Sequence, residues 1–193
     1  MPPKVRITED AIIDAAIQLI RDSGMESFNS RELAKRLKCS TQPIFWKYKN
    51  MDELMKVVYR KVEELYSQHI LNGMRNNNSF LAMGIAYIDF AKKEKNLFKL
   101  LFMSNSIKVK NVFEMIESED DHEIIQIISQ MTSLSEENSK QLYINIWLVT
   151  HGIASMEATN TCIFTDSEIK DILTDSFMGF SRQFKYKETE KEG

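Results

Sequence analysis

The sequence predicts an all-α protein, and three observations carry that expectation. The chain of 193 residues holds only 6 Gly and 3 Pro, two of the prolines at positions 2 and 3, so long stretches run without a helix breaker. Apolar residues recur at i, i+3 and i+4. Helix-start residues followed three positions later by glutamate (Asn29/Glu32, Asn50/Glu53, Thr165/Glu168) mark where helices begin. No strand-like alternation and no internal repeat is present. With 43% apolar residues the chain can enclose a sizeable core, as one compact domain or two small ones.

The first helix is predicted at 8–23, with Thr8 as N-cap, Glu9 and Asp10 in the first turn, and Gly24 just past the end. Its apolar stripe is Ala11, Ile12, Ala15, Ala16, Leu19 and Ile20. The second, "NSRELAKRLK", is capped by Asn29 and buries Leu33, Ala34 and Leu37. After a short break at "CS", a third is predicted over "TQPIFWKY", with Ser40 as N-cap and Pro43 in the first turn, where its missing N–H is not needed. A helix, a turn of a few residues and a second short helix make a helix-turn-helix. Asn50 opens a long fourth helix, "MDELMKVVYRKVEELYSQHILNGM", and "NNNS" at 76–79 is a loop. Further helices are predicted at roughly 79–94, 96–104, 109–118, 121–132, 136–160 and 166–186, with "ESEDD" at 117–121 a solvated loop and "KETEKEG" a frayed tail. The chain divides into a head at 1–52 and a body at 53–193, joined within the fourth helix with no flexible linker.

Charge follows the same division. Residues 1–61 carry 12 Lys+Arg against 8 Asp+Glu, a balance of +4, and the remainder carries 13 against 20, a balance of −7, giving the net −3. A basic head on an acidic body suits a head that meets a polyanion. Two distant cysteines, Cys39 and Cys162, suit a reducing cytosol and no disulfide framework. No run of about 18 apolar residues exists to span a membrane and no secretory h-region is visible, so a cytoplasmic location is expected. Enzyme chemistry finds little support. His69, His122 and His151 are scattered, and neither a metal-spaced cluster, a glycine-rich phosphate loop nor a nucleophile elbow is present; no cofactor and no metal is expected.

The order and spacing of "IRDSG", "FNSRELAKRLKCS", the short third helix, Tyr48 and "NMDEL" resemble the DNA-binding domain of the TetR family of bacterial transcriptional regulators over about residues 7–60. The resemblance implies a three-helix DNA-binding head on a helical ligand-binding and dimerisation body. It further implies a homodimer formed through the last two helices that grips a palindromic operator, most often as a repressor released by a small-molecule inducer. "WLVTHGIASM" resembles the W-x-x-x-H-G signature of one subgroup of the family's C-terminal domains, through Trp147, His151 and Gly152. The head departs from the family pattern at three places. Phe45 stands where a phosphate-bonding tyrosine is usual, Met51 where a lysine is frequent, and Gln42-Pro43 in place of glycine-threonine. The expected phosphate contacts therefore shift to Lys47, Lys49 and backbone amides.

On this basis the DNA-binding candidates are Arg31, Ser40, Thr41, Gln42, Phe45, Trp46, Lys47 and Lys49. Only the first turn or two of a recognition helix enters the major groove, where Thr41 and Gln42 can reach base edges and a glutamine can pair bidentately with adenine. Pro43 or Phe45 can meet a thymine methyl, and the lysines suit phosphates. Ile44 and Tyr48 are assigned to the core. Phe45 is open between core and DNA, and the family pattern places Trp46 on the DNA face. Arg31 is open between phosphate contact and a surface ion pair. Cys39 reads as a small residue packed in the turn, with a redox role as the alternative.

The ligand-binding candidates are Tyr87, Phe90, Phe98, Phe102, Met103, Tyr143, Trp147 and His151. An aromatic or methionine stripe at helical spacing is equally what a plain core looks like, and His151 equally a hydrogen-bonded core residue. Two rival readings stand beside the regulator: a helical carrier or enzyme whose head is a relic, and a regulator whose body binds a partner protein. An enclosed apolar cavity in the body counts against the second.

Overall fold

The computed structural model describes residues 7–75, 79–104 and 119–192, with the side chains of 119–121 and 191–192 outside the description. Among the described residues there is no strand. The helices are α1 (Glu9–Ser23), α2 (Ser30–Arg36), α3 (Gln42–Phe45), α4 (Met51–Met74), α5 (Phe80–Lys93), α6 (Lys95–Phe102), α7 (Glu119–Thr132), α8 (Glu136–Thr159) and α9 (Asp166–Glu192). The helix expected at 109–118 lies outside the described residues.

The starts follow local chemistry. Thr8 Oγ1 accepts from the Ala11 N–H, and Asn29 Oδ1 accepts from the N–H groups of Arg31 and Glu32. Asn50, Ser79 and Ser135 cap α4, α5 and α8 in the same way. Only one of the three expected capping boxes closes in both directions. Thr165 Oγ1 accepts from the Glu168 N–H at 3.2 Å while the Glu168 carboxylate accepts from the Thr165 N–H at 2.8 Å. In α2 the return bond is missing because the Asn29 N–H is taken by the Ser27 carbonyl at 2.8 Å. In α4 Glu53 accepts from the Lys49 N–H instead. Gly24 ends α1 at φ 78°, a conformation that a side chain resists.

Three expectations are corrected. The third helix is four residues long and not eight, and its N-cap is Thr41 and not Ser40. Lys47 and Tyr48 both donate to the Ile44 carbonyl, so the chain leaves the helix as a tight turn that delivers Asn50 in extended form to cap α4. The acidic stretch is not wholly a loop, since 119–121 open α7. The tail is not frayed: α9 runs to Glu192, and Glu188 Oε1 accepts from the Ser135 N–H at 2.9 Å and from Asn138 Nδ2 at 2.6 Å, tying the tail to the start of α8.

Packing joins head and body. One continuous buried cluster runs from Ile12, Leu33, Ile44 and Leu54 of the head through Val58 and Val62 of α4 to Phe90, Phe98, Leu101 and Ile153 of the body. Arg21 at the end of α1 pairs with Glu94 at 2.7 Å, and Asn96 donates to the Arg21 carbonyl at 2.9 Å. A second cluster lies at the far end, between α7, α8 and Phe184 of α9. The α8–α9 turn is held by buried Glu157, whose Oε1 accepts from the Phe164 N–H at 2.8 Å and lies 3.8 Å from Lys92 Nζ.

Candidate nucleic-acid interface and body cavity

In the head, burial separates two faces of eight consecutive residues. Ile44 and Tyr48 point inward, both under 5% exposed, and the Tyr48 hydroxyl donates to Glu9 Oε1 at 3.2 Å. Desolvation, with the Glu9 carboxylate beside it, pushes the Tyr48 phenol up to about 12, so the hydroxyl stays protonated. On the other face Gln42, Phe45, Trp46 and Lys47 are exposed, with Lys49 just beyond. Trp46 is 77% exposed and Phe45 44% exposed, a large apolar outlay of surface that the fold itself does not use. Phe45, open on the sequence, thus turns outward beside Trp46. Ser40 is exposed in the turn before α3, Thr41 is half-buried as its N-cap, and Arg31 is exposed in the first turn of α2. All eight candidates lie on this one end of the molecule's helix-turn-helix, with Thr41 the most enclosed.

The turn between α2 and α3 is fixed by Lys38 at φ 53°, with the Cys39 N–H donating to the Ala34 carbonyl at 3.0 Å. Cys39 is half-buried, and burial pushes its thiol up, which opposes an activated thiolate. Met51 opens α4 with its side chain packed against the core, consistent with the loss of a phosphate donor at that position.

Residues 12–58 match the N-terminal domain of "Bacterial regulatory proteins, tetR family". The matched segment spans the head, from within α1 into α4. The helix-turn-helix of α2 and α3 lies inside that segment. No curated protein sequence matches. The fold likeness extends over the whole chain. A TetR-like transcriptional regulator from Rhodococcus sp. RHA1 superposes with a TM-score of 0.63 at 14% identity, covering 92% of this chain and 96% of that one. A TetR variant from Acinetobacter baumannii AYE, solved in complex with minocycline, superposes with a TM-score of 0.56 at 14% identity, covering 92% and 98%.

The body contains a cavity of about 340 Å³ between α5, α8 and α9. Three helical faces build most of it. Phe80, Met83, Gly84 and Tyr87 come from α5; Tyr143, Ile146, Trp147 and Thr150 come from α8; Leu173, Thr174, Phe177 and Met178 come from α9. Tyr66 of α4, Phe102 of α6 and Met131 of α7 complete the wall. The first two sets are i, i+3, i+4, i+7, one stripe along a helix.

Of the eight residues proposed for a pocket, Tyr87, Phe102, Tyr143 and Trp147 line this cavity. The other four do not. Phe90 and Phe98 are buried core, at 2% and 0% exposure, Phe90 edge-on to Tyr66 and Phe98 edge-on to Tyr87. Met103 lies on the surface at the end of α6. His151 stands behind the wall. Its ring stacks on Trp147, centroids 4.8 Å apart and planes 8° apart, and its Nδ1 is 2.9 Å from the Tyr87 hydroxyl. Burial lowers the imidazole pKa, so the ring is held neutral as a hydrogen-bonding prop for two wall residues. Among the lining residues that sequence reasoning passed over, Met83 and Thr150 carried a signal, four residues from Tyr87 and three from Trp147 on the same helix, whereas Phe80 lies seven from Tyr87 and Phe177 is on a helix with no named candidate. Among the described residues no group of His, Cys, Asp and Glu could hold a metal ion, and no helix is long and apolar enough to cross a membrane.

Proposed function

We propose that this protein is a homodimeric transcriptional repressor whose head, residues 1–52, reads a palindromic operator and whose body, residues 53–193, releases it on binding a small molecule. The observation that carries this reading is the continuity of α4. Met51 at its start packs against the head, and fifteen residues on, about 22 Å along the helix, Tyr66 forms part of the cavity wall. The Tyr66 ring contacts Tyr87, Phe90 and Phe102 edge-on at 5.2–6.0 Å. A ligand that moves this ring pushes on the helix that carries the head. It shifts the equilibrium only by its differential affinity for the two states.

Gln42 reads base edges, Phe45 and Trp46 meet thymine methyls and sugars, and Lys47, Lys49 and Arg31 position the phosphates. The last two helices supply the dimer surface. Leu148 and Met156 of α8 and Ile172 and Met178 of α9 are apolar and exposed in the single chain, which supports a partner copy there. The cavity favours a small-molecule effector over a protein partner for the body.

The test is fluorescence-anisotropy binding to the protein's own upstream DNA across a salt series, beside a scrambled duplex. Tight selective binding with a steep salt slope is expected, and Gln42→Ala should lose about 1–3 kcal/mol of discrimination. Genome-wide selection of bound fragments that yields no enriched sequence would overturn the regulator reading in favour of a relic head.

A further inference from the structure

The cavity also restricts what can occupy it. Among its described lining residues none is charged. The wall is dominated by rings: Tyr66, Phe80, Tyr87, Phe102, Tyr143 and Trp147. Three polar groups at the wall have partners within the protein. Thr150 Oγ1 donates its proton to the Ile146 carbonyl at 2.8 Å, Ser79 Oγ caps α5 by accepting from the Ala82 N–H at 3.2 Å, and the Tyr87 hydroxyl faces His151 Nδ1 at 2.9 Å. Thr150 therefore offers an arriving molecule an acceptor oxygen and no donor. An anion placed there finds no cation to pair with and no free N–H or O–H on Thr150, and a buried ion without a partner is strongly disfavoured. Flat apolar molecules, by contrast, find ring edges and faces at stacking distance.

We propose that the effector of this protein is an uncharged aromatic small molecule, its polar content limited to a hydrogen-bond donor such as an aryl N–H or O–H directed at Thr150. This rests on the reading of the cavity as the effector site. The volume, about 340 Å³, is at the small end of ligand pockets, roughly 300–1,000 Å³, and suits a ligand of one or two fused rings.

The experiment uses the full-length protein and two probes that share an anilinonaphthalene body. One is 1-N-phenylnaphthylamine, uncharged with a single N–H; the other is 1-anilinonaphthalene-8-sulfonate, an anion. The chain has 2 Trp, Trp46 in the head and Trp147 in the cavity wall, so a Trp46→Phe background makes Trp147 emission a report on this cavity. The uncharged probe should quench Trp147 and bind at least about tenfold more tightly than the sulfonate. Thr174 lies at the wall and is itself exposed, so Thr174→Lys adds a cation without disturbing the core. It should strengthen sulfonate binding several-fold relative to the uncharged probe. Equal or tighter binding of the sulfonate by the Trp46→Phe protein, or indifference of both probes to Thr174→Lys, would overturn the uncharged-ligand inference while leaving the effector site standing. Unchanged Trp147 emission with both probes would overturn the effector-site reading itself.

Discussion

Gly73, near the end of α4, approaches α5 so closely that a Cβ added there would come within 2.6 Å of Ala86 Cβ. Carbon atoms in contact sit at about 3.5–4.0 Å. Gly73→Ala therefore forces the two helices about 1 Å apart at this crossing, and no rotamer offers escape, because both atoms are fixed to backbone. Overpacking of this kind costs about 1–3 kcal/mol, while replacing a helical glycine by alanine returns at most about 1 kcal/mol. The net loss is about 1–2 kcal/mol. For a chain of this size each kcal/mol lowers Tm by about 2–4 °C, so the expected fall is about 2–8 °C, measured at fixed protein concentration. The decisive comparison is the double variant Gly73→Ala with Ala86→Gly. With the opposing Cβ removed, the next atom is Ala86 Cα at 3.6 Å, an ordinary contact. The double variant should be more stable than the sum of the two single changes by about 1–2 kcal/mol. A rise in Tm for Gly73→Ala alone, or strict additivity in the cycle, would refute the close α4–α5 crossing and with it the mechanical link from cavity wall to head.

Three further outcomes are expected. Lys47→Ala should weaken operator binding about equally on all sequences and lower the slope of log affinity against log salt by about 1, read from the anisotropy salt series. Because burial depresses the His151 pKa below its unfolded value, the unfolded chain binds the extra proton first as pH drops. Stability contributed by the neutral ring is present above about pH 6.5 and lost as pH falls below it, and His151→Gln should flatten that limb in urea unfolding. Glu157→Ala strips the Phe164 N–H of its acceptor and should cost about 1–3 kcal/mol in urea unfolding, with most of it restored by Glu157→Gln, which keeps an oxygen at that place.

The sequence by itself determined the helical class, the starts of α1, α2, α4, α5, α8 and α9, and the helix-turn-helix. These rest on local rules: periodicity, scarcity of Gly and Pro, and a side chain that bonds an N–H two or three residues ahead. The outward face of α3 was half legible. Ile44 and Tyr48 follow from spacing, but whether Phe45 and Trp46 turn in or out depends on what α1 and α4 leave room for. Tertiary structure alone decided the cavity. Its wall is shared by six helices, so the difference between Tyr87, which lines it, and Phe90, one turn away in the core, comes from where neighbouring helices cross and not from residue type. The same holds for His151. Its spacing from Trp147 put it on one helix face, yet only the approach of α5 brought the Tyr87 hydroxyl to its ring and set it behind the wall. The tail shows the rule in reverse. Six polar residues at 187–192 look destined to fray, and one carboxylate reaching the start of α8 holds them in helix.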